Sequence, residues 1–153
     1  MSDKIPLSQP NFIGNEKKYL NDCIDSGWVS SAGSYVDQFE ESIANYAGVK
    51  HAISIVNGTS AIHLALKIAG VQPGHEVIAP TLTFIAPINA ISYLGAKPVF
   101  MDTDPFFNID IEKTIDFLNT KIKYKKGKNI NKDTGNIIQA VLPVHIFGTT
   151  IDL

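Results

Sequence analysis

The sequence contains no arginine, so all thirteen basic side chains are lysine. The planar fork that grips a carboxylate or phosphate through two parallel hydrogen bonds is therefore missing. An anion must be held here by backbone amides, hydroxyls or another chain. A single cysteine, Cys23, excludes an internal disulfide and fits a reducing compartment. Beside Ile24 in a helical pattern, it reads as core packing. No stretch approaches the ~20 apolar residues that a membrane span needs, and Met1 to Leu7 is polar. The formal net charge is −2, with no basic pattern that tracks a phosphate backbone outside one lysine-rich stretch. The expectation is a cytoplasmic protein with neither nucleic acid nor membrane as partner.

What is present is a chain of 153 residues, 44% hydrophobic, enough to bury one core. Tyr19, Leu20, Cys23 and Ile24 recur at helical spacing between Gly14 and Ser26, and Gly27 is placed to end that helix. Trp28 to Ser34 reads as a loop of mostly small residues. A second helix over Tyr35 to Ala47 carries Val36, Phe39, Ile43 and Tyr46 on one face and stops at Gly48. His51 to Val56 is a β-branched, mostly apolar run that predicts a strand, followed by a turn at Asn57-Gly58-Thr59-Ser60 and a helix over Ala61 to Ala69. Strand Glu76 to Ala79, helix Ile85 to Leu94, strand Pro98 to Met101 and helix Asp110 to Leu118 continue the alternation. Lys121 to Asn136 reads as a solvated excursion or hairpin, and Ile137 to Val144 as a buried strand. The alternation argues for an α/β fold with a mostly parallel sheet, whose ligands collect beyond the carboxyl ends of the strands.

A glycine-containing turn from strand into helix points free N–H groups at one spot, and the helix dipole makes that spot attractive to phosphate. Gly58, Thr59 and Ser60 are the candidates, although Thr59 or Ser60 could simply cap the helix. No G-x-G-x-x-G and no Walker lysine is present, so dinucleotide and nucleoside-triphosphate readings lose their usual support. Phe84 follows the next strand and could stack on a flat cofactor or belong to the core. Asn89 and Asp102 read either as structural groups or as polar contacts to a ligand. His145, at the end of the last strand, is the histidine placed as active-site histidines are.

Together these segments resemble the DegT/DnrJ/EryC1/StrS family of pyridoxal-phosphate (PLP) sugar aminotransferases, of the aspartate aminotransferase fold group. The resemblance rests on collinear stretches: Gly27-Trp28-Val29-Ser30-Ser31, Phe39-Glu40, Asn57-Gly58-Thr59-Ser60-Ala61, Pro80-Thr81-Leu82-Thr83-Phe84, Asn89-Ala90, Gly95-Ala96-Lys97-Pro98-Val99-Phe100, Asp102 and Pro143-Val144-His145-Ile146-Phe147-Gly148. It implies a partial large domain of the type I PLP fold. Residues 1–34 would form an N-terminal helix and substrate loop, and residues 35–153 the start of the PLP-binding domain, without the C-terminal small domain. It also implies that Gly58, Thr59 and Ser60 hold the PLP phosphate and that Phe84 stacks on the ring. Trp28, Val29, Ser30 and Ser31 would line the sugar-nucleotide site, often across a homodimer interface, with Asn89 and His145 near it.

The lysine-rich insertion with Thr134-Gly135 is most similar to the legionaminic-acid or bacillosamine-type branch. That branch moves an amino group, typically from glutamate, to the C4 ketone of a UDP-linked 4-keto-6-deoxy-N-acetylhexosamine. The lysine that holds PLP as a Schiff base, and the carboxylate opposite the pyridine nitrogen, belong in this family to segments after the Pro-Val-His strand. The expectation is therefore that the chain alone is inactive, with unpaired strand edges and uncovered apolar faces. Two alternatives stay open at this level: a dehydratase of the same family, with histidine replacing the lysine, and a non-catalytic binder of phosphate or nucleotide sugar.

Overall fold

A computed structural model describes Ile5 and residues 8–151, in two compact units, Met1–Ser54 and Ile55–Leu153. The first unit holds α1 (Glu16–Ser26) and α2 (Ser34–Ala47), each closed by a left-handed glycine, Gly27 and Gly48, where the sequence predicts a stop. Tyr35 donates its hydroxyl hydrogen to Asp22 Oδ2 at 2.8 Å, and the rings of Tyr19 and Tyr35 lie 4.9 Å apart. Hydrogen bonding to Asp22 is the largest of the influences that push the Tyr35 phenol up to about 12. Cys23 is not core: α1 has no buried residue, and Cys23 is half-buried in the wall of an open groove between α1 and α2. Phe39, Ile43 and Tyr46 do share a face of α2, but it is open to solvent.

The expected strand over His51 to Val56 is absent. Residues 51–55 have no ladder partner among the described residues, and a β-branched run cannot become a strand without a neighbour. Ser54 is instead held by Glu40, whose Oε1 accepts both its N–H and its hydroxyl at 2.8 Å. The Ser54 backbone bond, then the hydroxyl bond, hold the Glu40 carboxyl below its ordinary range.

The second unit is α/β. Its elements in chain order are α3 (Gly58–Ile68), β1 (Glu76–Pro80), α4 (Ile85–Tyr93), β2 (Lys97–Met101), α5 (Ile111–Lys121), the hairpin β3 (Ile122–Lys125) and β4 (Lys128–Asn131), and β5 (Ile138–Val141). The main sheet has order β2-β1-β5 with both pairings parallel, Ile78 standing opposite Val99 on one side and Val141 on the other. As the central strand, β1 is buried at all five positions. Its side chains alternate between two cores. Val77 and Ala79 pack with Leu66, Ala90 and Ile91 under α3 and α4, whereas Ile78 packs with Met101, Ile109 and Ile138 on the α5 side. A near-continuous apolar strand buried on both faces is the pattern of a parallel sheet.

Asp110 caps α5, its Oδ1 accepting the Lys113 N–H at 2.9 Å. Glycine is required at Gly95, which closes α4 at φ +68°. A Cβ there would stand 3.1 Å from Pro73 Cβ and 3.3 Å from Pro73 Cα. Gly95→Ala combines a left-handed strain with that crowding and is expected to cost about 2 kcal/mol. Urea unfolding of the two chains should show a lower midpoint at unchanged slope.

The start of β1 is pinned by a buried carboxylate. Glu76, 2% exposed, accepts from Asn131 Nδ2 at 2.8 Å and from Asn136 Nδ2 at 2.9 Å. These bonds fasten the base of the β3–β4 hairpin to the amino end of the sheet.

Candidate cofactor site at the carboxyl edge of the sheet

The chain from Ala69 to His75 joins the end of α3 to the start of β1, and Gln139 of β5 donates to the Ala69 carbonyl at 2.8 Å. The end of α3 is thereby fixed at the amino edge, which sends its first turn toward the carboxyl edge. Pro80 to Phe84 leave β1 at that same edge, as do Asp102 from β2 and residues 142–148 from β5. Of the second unit's expected site residues, Gly58, Thr59, Ser60, Phe84 and His145 thus lie on segments that begin or end at that edge, whereas Asn89 lies in the middle of α4. Trp28, Val29, Ser30 and Ser31 belong to the first unit, where Trp28 is exposed and its side chain lies beside Gly33.

The first turn of α3 shows how the local sequence frees its donors. Asn57 is the cap: it is extended, and its Oδ1 accepts the Ser60 N–H at 2.8 Å. The capping role that the sequence leaves open for Thr59 or Ser60 is therefore taken by Asn57. Neither hydroxyl bonds elsewhere among the described residues, and the N–H groups of Gly58 and Thr59 have no acceptor there either. A Cβ built on Gly58 would meet nothing within 4 Å, so the approach to those amides is open. Two free amides, two free hydroxyls and the positive end of a three-turn helix suit a phosphate without any cation. The residues present therefore fit the phosphate of a PLP-type cofactor.

Phe84 stands at the start of α4, 81% exposed, and is not packed into either core of the described residues. Beside it, the Thr83 hydroxyl is buried without a hydrogen-bond partner among the described residues. The sequence gives no sign of this, because Thr81 and Thr83 differ only in which way the backbone turns them. Asn89 is half-buried on α4. His145 is exposed, and its Nδ1 accepts the Ile151 N–H at 3.1 Å, which leaves Nε2 to carry the hydrogen of the neutral ring. Asp102 is engaged by Lys113 at 2.7 Å, both largely exposed. That pairing raises the Lys113 pKa, the opposite of what a nucleophilic amine requires. Every described lysine is exposed.

A parallel sheet with helices on its faces, and a helix start with unspent donors at its carboxyl edge, define an α/β domain. The solved aminotransferase of the DegT/DnrJ/EryC1/StrS type from Brucella abortus overlays on it with a TM-score of 0.76 at 29% identity, over 89% of this chain and 34% of that one. NtdA of Bacillus subtilis, solved with bound cofactor PMP, matches with a TM-score of 0.68 at 27% identity, over 89% of this chain and 28% of that one. The model of the DegT/DnrJ/EryC1/StrS aminotransferase family matches residues 10–153, and the chain belongs to that family. The aminotransferases of this family are PLP-dependent and of the type I fold. A GDP-perosamine synthase of Vibrio cholerae is 45% identical over 149 residues, 97% of this chain and 36% of that protein. The chain thus spans about a third of the length of the curated relatives it matches. No helix among the described residues is long and apolar enough to cross a membrane.

Proposed function

We propose that the chain supplies the phosphate cradle and ring-stacking face of a PLP-dependent aminotransferase. Its reaction would move an amino group from an amino acid, glutamate first among candidates, to the C4 ketone of a nucleotide-linked 4-keto-6-deoxy sugar. The observation that carries this reading is the open first turn of α3, where Asn57 does the capping and so leaves the amides of Gly58 and Thr59 and the hydroxyls of Thr59 and Ser60 unspent. When bound, the cofactor would act as an electron sink for amine transfer. The cradle would fix its phosphate, and Phe84 would set the tilt of its ring. Trp28, Val29, Ser30 and Ser31 would line the sugar-nucleotide site, with a homodimer as the working form and Asn89 and His145 close by.

The two supports differ on the nucleotide. The lysine-rich segment with Thr134-Gly135 favours a UDP-linked N-acetylhexosamine, whereas the 45% identical relative is a GDP-perosamine synthase. The latter likeness extends along 97% of the chain and makes a GDP-linked 4-keto sugar the first substrate to assay.

The cradle can be tested on the chain itself by absorbance titration with PLP, with pyridoxal as a phosphate-free control. Removing both hydroxyls in T59A/S60A is expected to weaken PLP binding by roughly a hundredfold, at about tenfold per hydrogen bond, with pyridoxal unaffected. Equal PLP affinity in the two chains would remove the cradle from the argument. A longer protein carrying this chain, incubated with glutamate and either GDP- or UDP-linked 4-keto sugar, then decides the nucleotide.

A further inference from the structure

The lysine-rich hairpin is a separate feature, at the other end of the sheet from the cradle. Between Lys121 and Lys132 there are six lysines and no acidic residue. The ribbon is a defined structure: Ile122 pairs with Asn131, Lys123 with Ile130, Tyr124 with Asn129 and Lys125 with Lys128, around a two-residue turn at Lys126-Gly127. Its base is clamped to β1 by buried Glu76 through Asn131 and Asn136. A solvated connection between α5 and β5 needs no such anchor.

Alternation along the two strands puts Lys123, Lys125 and Lys128 on one face. Lys125 and Lys128 stand directly opposite each other, an arrangement that destabilises a ribbon unless an anion intervenes. The polar contacts found nearby do not reach these three: Lys121 pairs with Asp133 at 3.0 Å, and Lys132 donates to the Thr120 carbonyl. Meanwhile these 153 residues together carry −2, so the positive charge is local to the ribbon and opposed by acidic residues elsewhere in the chain.

From this we propose that the β3–β4 ribbon is a docking arm for an anionic phospholipid surface. Lysine side chains on flexible stems suit diffuse contact with many hydrated headgroups. Tyr124, 73% exposed on the other face of the ribbon, is of the type that settles at a membrane–water interface. Contact led by the Lys126-Gly127 turn brings both faces to the headgroup layer. The acidic remainder is repelled from the same surface, which orients the molecule with the carboxyl edge of its sheet, and the cradle, turned away. The expectation of no membrane partner rests on the lack of a spanning segment, which does not bear on attachment of this peripheral kind.

The test is co-sedimentation of the chain with vesicles of phosphatidylcholine alone or of equal parts phosphatidylcholine and phosphatidylglycerol. The bound fraction on the anionic vesicles is expected to exceed that on the neutral ones by roughly tenfold and to fall away as salt rises from about 0.1 M to about 0.5 M. K123Q/K125Q/K128Q should abolish the difference, and K123R/K125R/K128R should keep it. Equal binding to both vesicle types, or undiminished binding by the glutamine variant, overturns the proposal. So does self-association in sedimentation velocity that the glutamine variant loses while vesicles are ignored, because the arm would then belong to a second copy. Retention on duplex DNA as strong as on the anionic vesicles would likewise rule out a lipid-directed surface.

Discussion

Ile78→Ala is expected to lower the stability of the chain by about 4 kcal/mol, the upper part of the range for deleting three carbons from a closed core. Ile78 is fully buried at the middle of the central strand, among Met101, Ile109, Ile138 and Ile151. It has ladder neighbours on both sides, so the backbone is held by β2 and β5 and has little freedom to close the void. Guanidinium or urea unfolding with a common slope measures the loss. A change under about 1 kcal/mol would mean that this side of the sheet is not packed as described. Val141, opposite Ile78 but 43% exposed, supplies an internal contrast: its truncation should cost far less.

Glu76→Ala should cost about 3 kcal/mol, because it strands the Asn131 and Asn136 amides, one of them fully buried, without an acceptor. The same carboxylate makes stability depend on pH. Burial, the largest single influence, pushes its pKa up, but the amides of Asn136 and Asn131, the Thr134 hydroxyl and the charge of Lys97 together outweigh it and leave the group below its ordinary value. A carboxyl depressed in the folded state contributes stability that is complete above the unfolded value of about 4.3 and is lost as the pH falls through the folded one. Acidification from neutral should therefore leave unfolding unchanged until about pH 4 and weaken the fold below it. In Glu76→Gln this part of the acid sensitivity should be gone. Identical pH profiles for the two chains would show that the Glu76 carboxyl titrates alike in the folded and unfolded chains.

The elements with punctuation at both ends were legible in the sequence. Gly27 and Gly48 mark the ends of α1 and α2, and Pro73-Gly74 with Pro80 bracket the apolar run of β1. The hairpin over Lys121 to Asn136 was readable from Gly127 in its turn. His51 to Val56 was misread because strand formation is a property of pairs: composition states a preference, but the hydrogen bonds must come from a neighbour. Cys23 was misread for a related reason, since helical spacing reports which residues share a face and not whether anything covers it. Glu76 could not be found from sequence at all. A glutamate opening a strand looks like a solvent-facing end, and only the return of Asn131 and Asn136 from more than fifty residues away makes it a buried acceptor.

In the candidate site, the glycine-containing turn into α3 was legible as a pattern, but its free donors were not. That depends on Asn57 reaching forward to Ser60, a bond decided by the extended backbone at Asn57. That Phe84 lies outside the core likewise needed the start of α4 to be placed.

The order β2-β1-β5 also sets a sequence of events as the chain emerges from the ribosome. The partner of Glu76 on one side, Lys97, lies about 20 residues further on, whereas its partner on the other, Ile138, lies about 60 away, a loop whose closure costs about 1 kcal/mol more. β1 and β2 can therefore zip together with α3 and α4 early in synthesis, leaving one flank of β1 bare until translation has passed the hairpin. During that interval the nascent polypeptide exposes an unsatisfied strand margin, the stage at which it is most open to wrong pairing.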